Sequence, residues 1–460
     1  MRNKTIVVLA PLCILLAGCG GSGSGLSSNP PPPPATGQWT WVAGSDLVNQ
    51  SGSYGQQGAS ASSNAPPARY AAATWTDSSD NLWLFGGQSA PTEASDTYYS
   101  DLWKFSNGQW TWVAGPNTTN HPGVYGTLGV SASGNIPGGR SNAVTWTDNS
   151  GNFWLFGGLG LDADGNSEDL NDLWRFSDGQ WTWMDGPQTA FGGVPGIYGS
   201  KGVAAAGNLP GGRSDAVAWT DGSGDFWLFG GLGWDSAGAW GDLNDLWKYN
   251  NGQWTWVSGA NVVQQDGVYG ELGVRNPTNV PGARIDAAAW TDVSGSLWLF
   301  GGSYNQPMGT IHLLNDLWWF NNGQWTWMGG TDQPDQAGVY GTKGVASSTN
   351  IPGARSGAAF WTDNSGNFWL FSGGSSWQND LWEYSNGQWI WVDGSQANSP
   401  GTYGTLGTAS PTNIPGSRFS ASTWTDHSGN LWLFGGNGND STGISQGSFG
   451  YLNDLWKYQP

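Results

Sequence analysis

The chain is poor in the side chains that carry most enzyme chemistry. It holds two cysteines and three histidines in 460 residues. Both cysteines, Cys13 and Cys19, lie near the N-terminus, so nothing beyond residue 19 can form a disulfide or act as a thiol nucleophile. His121, His312 and His427 are too few and too scattered for a histidine-rich metal centre, and they leave little material for a nucleophilic triad. Basic residues are scarce as well, 15 against 34 acidic, for a formal charge of -19. A surface of that sign repels a phosphate backbone, which argues against nucleic acid as a partner.

The one long apolar run, Ile6 to Leu16, follows Arg2 and Lys4 and precedes Leu16-Ala17-Gly18-Cys19. It is too short to span a bilayer as a mature helix and has the layout of an export signal. The segment resembles a bacterial lipoprotein signal. That resemblance implies cleavage after residue 18 and acylation of Cys19. Gly20, which is not aspartate, implies outer-membrane retention where the host has two membranes. Residues 19–36 are Gly/Ser-rich and then carry Pro30 to Pro34, a flexible piece followed by a stiffer one, and read as a tether. Without Arg2 and Lys4 the balance is 13 basic to 34 acidic, or -21.

What the chain has in excess is tryptophan, 34 of them, and a repeat that explains it. A unit of about 71 residues occurs six times. It reads R-x-x-A-x-x-W-T-D-x-S-G-N-x-W-L-F-G-G, then a polar stretch, then N-D-L-W-x-F/Y-x-x-G-Q-W-T-W. Thirty tryptophans occupy five positions in each unit; only Trp234, Trp240, Trp319 and Trp377 fall outside. Residues 37–460 begin with the tail of a unit, Gly37 to Trp41, and end with a head, Asp454 to Tyr458. A unit split between the two ends is what a closed ring requires.

Each unit predicts four short antiparallel strands. In the second they are Ser141 to Thr147, Phe153 to Phe156, Asp172 to Phe176 and Trp181 to Met184, with hairpin chemistry at Asp148-Asn149-Ser150-Gly151-Asn152. Such a sheet buries its faces only against copies of itself, which predicts an all-β, six-bladed propeller over residues 37–460. The paired glycines after an apolar strand, with the later aromatic and tryptophan, resemble the kelch motif. The W-T-D and W-L-F-G-G wording is similar to bacterial kelch-type proteins related to the central domain of galactose oxidase. The resemblance implies the fold; a family this diverse leaves the function open.

Two sets of connections alternate around such a ring. The a–b and c–d turns are short and uniform, whereas the b–c and d–a connections are long and variable, so a binding surface is expected on the face of the latter. The arginines that open the units, Arg69, Arg140, Arg213, Arg284, Arg355 and Arg418, allow two readings. They form a cationic ring at the axial mouth, as related kelch propellers use such an arginine for acidic ligands, or they pair within the scaffold with Asp101, Asp172, Asp245, Asp316, Asp380 and Asp454. Presence in every unit favours the scaffold. The recurrent tyrosines, Tyr54, Tyr125, Tyr198, Tyr269, Tyr340 and Tyr403, are expected to pin the d–a loops. Departures from the repeat point to function: Trp234, Trp240 and Trp377, aromatic rings on polar loops suited to stacking on sugars.

No cofactor is expected. Copper radical chemistry needs a Cys–Tyr thioether and paired histidines, and Cys19 is committed to lipid, so that activity is excluded on this reading. Asp162, Asp164, Asn166 and Glu168 alternate oxygen ligands as calcium loops do, but Gly165 stands at position four rather than six. Together these features predict a lipid-anchored binding module of the bacterial envelope, facing a glycan or another envelope protein. The alternative is a non-metal enzyme, epimerase- or lyase-like, acting on acidic sugars at the axial opening.

Overall fold

The computed structural model describes residues 37–89, 97–305, 309–374, 377–443 and 450–460. The signal segment and tether, Cys19 included, lie outside the described residues. The described residues belong to one compact unit, Ala35–Pro460, and contain strands but no helix.

Six antiparallel sheets, each with four principal strands, stand around an axis, giving the six-bladed propeller. In blade two, strands a to d are Val144–Thr147, Phe153–Leu161, Ser167–Ser177 and Gln180–Asp185. The a strands neighbour one another in the cyclic order of the blades and line the bore. Blade six is assembled from both ends of the chain: Gln38–Ala43 is its outer strand and pairs antiparallel with Gly450–Gln459, Trp39 opposite Tyr458 and Trp41 opposite Trp456.

Two strand expectations need correction. The segment after each arginine is not one continuous strand. In blade two it is a short piece, Arg140–Ser141, and then Val144–Thr147, broken at Asn142, whose φ is +54°. The b–c connection of blades two to four is not an open polar loop either. Strands b and c run on as a hairpin, with Leu161 opposite Ser167 and Trp234 opposite Trp240. Ser372 occupies the first-glycine position of blade five: its φ is +60°, and its hydroxyl lies 2.6 and 2.8 Å from the Gln378 and Arg418 carbonyls.

Tryptophan fills the wedge between blades. The strand-a tryptophan stacks on the first strand-b residue of the next blade, as Trp75 does on Phe153 (5.3 Å) and Trp146 on Phe226 (5.2 Å). Its indole N–H crosses the interface to a carbonyl, Trp75 to Trp154 and Trp146 to Trp227, both at 3.2 Å. One aromatic residue thus supplies area and direction together. The d–a loops run down the outside of the following blade. Gly129 N–H reaches the Trp183 carbonyl, and Asn135 Nδ2 the Trp181 carbonyl. They cover the outermost strand, where an open edge invites pairing with another chain.

Candidate functional site at the axial mouth

The six arginines are fixed first, because their environment decides what the mouth offers. Each guanidinium is 0–2% exposed. Arg140 grips Asp172 with two N–H groups at 2.6 and 2.8 Å, and donates its others to the carbonyls of Gly138 and Gly157. The Asp172 carboxylate also receives the Tyr125 hydroxyl and the Trp174 indole N–H, both at 2.7 Å. The same four-membered cluster recurs in every blade, for example Arg213–Asp245–Tyr198–Trp247. The cationic-ring expectation is therefore corrected: Arg69, Arg140, Arg213, Arg284, Arg355 and Arg418 spend their donors on the scaffold. The tyrosines do pin the loops, through these aspartates.

Two residues beyond each arginine lies the mouth itself. Ala71, Asn142, Asp215, Asp286, Gly357 and Ser420 all have positive φ, between +46° and +61°. Each donates its N–H to the carbonyl of the preceding one around the axis, at 2.8–3.3 Å, and Ala71 closes the circle onto Ser420. This rigid backbone ring opens into a cup of about 280 Å³. Phe360 stands at its floor, where the other blades carry Thr74, Thr145, Ala218, Ala289 and Thr423. Farther along the bore lies a second space of about 550 Å³ between threonine-rich strands.

The cup is asymmetric. Blades two to four contribute Asn142, Asp215 and Asp286; blades five, six and one contribute only Gly357, Ser420 and Ala71. The Asp215 and Asp286 side chains meet, and both residues are half-buried. Burial, then the neighbouring Asp286 charge, push the Asp215 carboxyl well above the usual range, and burial pushes Asp286 up to about 7. Two carboxyls this close and this buried favour holding a proton between them. Because these folded-state values are raised, the native chain holds more protons than the unfolded one. The pair's contribution to stability is fullest below about pH 4 and is lost as pH rises through about 7. Asp286→Asn is expected to flatten that loss, which thermal unfolding at pH 5 and pH 8 would show; an unchanged pH slope would refute the shared proton.

A further buried carboxyl lies between the cup and the rim. The Ser214 hydroxyl lies within reach of Asp215 and of Asp169. Asp169, buried and thereby raised to about 6, accepts the Trp240 indole N–H at 2.7 Å. Trp240 is 53% exposed, and Phe191, in the adjoining loop, is 80% exposed. The Gly192 N–H, next to Phe191, donates to Glu168 at 3.3 Å.

The other predicted residues take different places. Trp234 is half-buried with its ring over Gly193, where a Cβ would lie 2.0 Å from it. Trp377 is half-buried, 6.2 Å from Phe419. Both pack against a neighbouring segment and offer little free ring. The calcium reading is corrected as well. Asp162 turns its oxygens on the N–H groups of Asp164, Asn166 and Ala190, and Asp235 and Asp440 cap their own turns in the same way. Among the described residues no three acidic, histidine or cysteine side chains gather as metal ligands. Lys201 and Arg275 lie over Trp256 and Trp319, and Lys343 pairs with Asp393, away from the cup. Sequence reading missed the Asp215–Asp286 pair and Phe191. The signal was a variable position, Ala, Asn, Asp, Asp, Gly, Ser, inside an otherwise uniform frame.

No protein-family model matches the chain, and no curated protein does. Solved structures resemble it at low identity. YjhT is 13% identical over 85% of this chain and 95% of its own, with a TM-score of 0.48. A fungal alcohol oxidase of the AA5 family, in complex with copper, is 12% identical over 89% and 77%, with a TM-score of 0.45. The GH93 α-L-arabinofuranosidase of Fusarium graminearum, with arabinobiose, is 10% identical over 91% and 98%, with a TM-score of 0.45.

Proposed function

We propose that this is a kelch-type propeller that binds carbohydrate across the axial mouth and the blade-three rim, held at a bacterial envelope by lipid on Cys19. The observation that carries the binding is Trp240: more than half exposed, yet locked by its indole N–H onto the buried Asp169 carboxylate. A fixed aromatic face beside acceptor oxygens suits a sugar ring, whose C–H face stacks while its hydroxyls donate.

Charge narrows the ligand. Among the described residues no basic side chain lines the cup, so a neutral glycan fits it better than an acidic one. The carboxyl pair argues against glycoside cleavage by these two groups. They touch, whereas flanking a glycosidic bond requires a separation of about 5 Å or more. The envelope-protein and acidic-sugar readings have no comparable observation behind them.

A glycan array probed with residues 37–460 is expected to report neutral glycans, and Trp240→Ala to reduce the signal at least tenfold. A silent array alongside measurable epimerase or hydrolase activity would reverse the assignment. For the anchor, Cys19→Ser is expected to abolish incorporation of labelled fatty acid and release the protein from membranes; continued labelling would remove Cys19 from the account.

A further inference from the structure

We propose that the cavity beside Tyr304 in blade four is a second ligand site, shaped for an uncharged, hydroxyl-rich molecule such as a single sugar residue. The choice of a sugar rests on the carbohydrate reading above; the cavity itself rests on a departure from the repeat. In blades two, three and six a glycine near the hairpin end pairs with the opening arginine: Gly160 with Arg140, Gly233 with Arg213, Gly438 with Arg418. Nothing larger fits there, because a Cβ would lie 2.4–2.7 Å from the arginine Cβ. The close approach sets the next hairpin carbonyl, of Leu161, Trp234 or Asn439, directly on Gly138, Gly211 or Gly416, 1.9–2.2 Å from where a Cβ would be. In those blades the space between hairpin and loop is closed.

Blade four carries Tyr304 at the glycine position. The arginine ladder is missing there; a single bridge, Ile285 to Ser303, remains. The nearest neighbours of Gly282 all belong to its own loop, at Asp266 and Gly267. The strand end leans instead on blade three, where the Asn305 N–H and Nδ2 donate to Asp242 at 2.5 and 3.0 Å. The vacated space is a cavity of about 500 Å³, within the range of small-molecule sites. Its wall includes Gln264, Gln265, Asp266, Tyr304, Asn305 and Asp332. Arg284 lies behind, but Asp316 and two glycine carbonyls occupy its donors. Carboxylates that only accept, amides that do both and a tyrosine ring, with no free cation among the described residues of the wall, favour a donor-rich ligand and turn away an anion.

Saturation-transfer NMR with methyl α-D-glucopyranoside and methyl β-D-galactopyranoside tests this on the full chain. Trp240→Ala is expected to keep part of the wild-type signal, and Trp240→Ala with Tyr304→Gly to lose the rest, since glycine lets the hairpin close. Asp332→Ala, at an exposed position, serves as the independent variant and is expected to weaken the residual signal at least threefold without changing Tm. If Trp240→Ala alone removes all signal, the cavity proposal fails and the rim reading stands. If the signal survives Trp240→Ala undiminished and vanishes with Tyr304→Gly, the rim reading fails and the cavity stands. No binding by the wild type overturns both.

Discussion

Replacing Asp172 by alanine is expected to cost about 3–5 kcal/mol, the range for stranding one partner of a buried ion pair. Arg140 is fully buried, and its two shortest bonds run to this carboxylate. Tyr125 and Trp174 lose their acceptor at the same stroke. Donors on three side chains lose this acceptor in a place water does not reach, each adding its own desolvation cost. Denaturant unfolding measures the loss; a change under 1 kcal/mol would mean the cluster contributes little. Burial opposes charge on Asp172, yet the Arg140 guanidinium holds its carboxyl below the usual range. Its stabilisation is therefore complete above about pH 4 and lost as pH falls through the lowered folded value. That is the opposite slope to the Asp215–Asp286 pair, so the two are separable in one pH series.

Trp39→Ala is expected to be about as damaging, at about 3–5 kcal/mol for a fully buried tryptophan. Trp39 is 0% exposed and touches Trp361, Phe371, Trp456 and Tyr458, so it joins blades five and six through a strand from the far end of the chain. Its loss weakens the ring at its one non-covalent junction. Size-exclusion chromatography is expected to show oligomers as the outer strand detaches and exposes the edge of Gly450–Gln459. The equivalent change in blade two, Trp181→Ala, removes similar area but leaves the ring covalently continuous. It is expected to lower Tm without oligomers; equal behaviour of the two variants would show that closure adds nothing beyond packing.

The ring was legible because its determinants are local and repeated. The split unit at residues 37–41 and 454–458 foretold the pairing of Trp39 with Tyr458, and the presence of an arginine and an aspartate in every unit favoured their ion pairs. The site was far less legible. Asp215 and Asp286 lie 71 positions apart, and what joins them is their common place in the ring rather than any motif. Tyr304 looks like an ordinary strand residue until Gly160, Gly233 and Gly438 show what the position must accommodate. Trp234 and Trp240 read alike in sequence, yet one ring lies over Gly193 and the other faces solvent, because the residues that decide this sit in a different blade. The six arginines show the converse: every unit has one, and all are consumed indoors.

The circle of six main-chain bonds at the mouth has a consequence for diversification. Because N–H and carbonyl groups alone set its diameter, the residues at positions 71, 142, 215, 286, 357 and 420 can be exchanged without altering the frame that carries them, provided each tolerates a left-handed backbone. The propeller thus presents six independently adjustable stations around one opening, and a new preference for what enters needs only point changes at those stations.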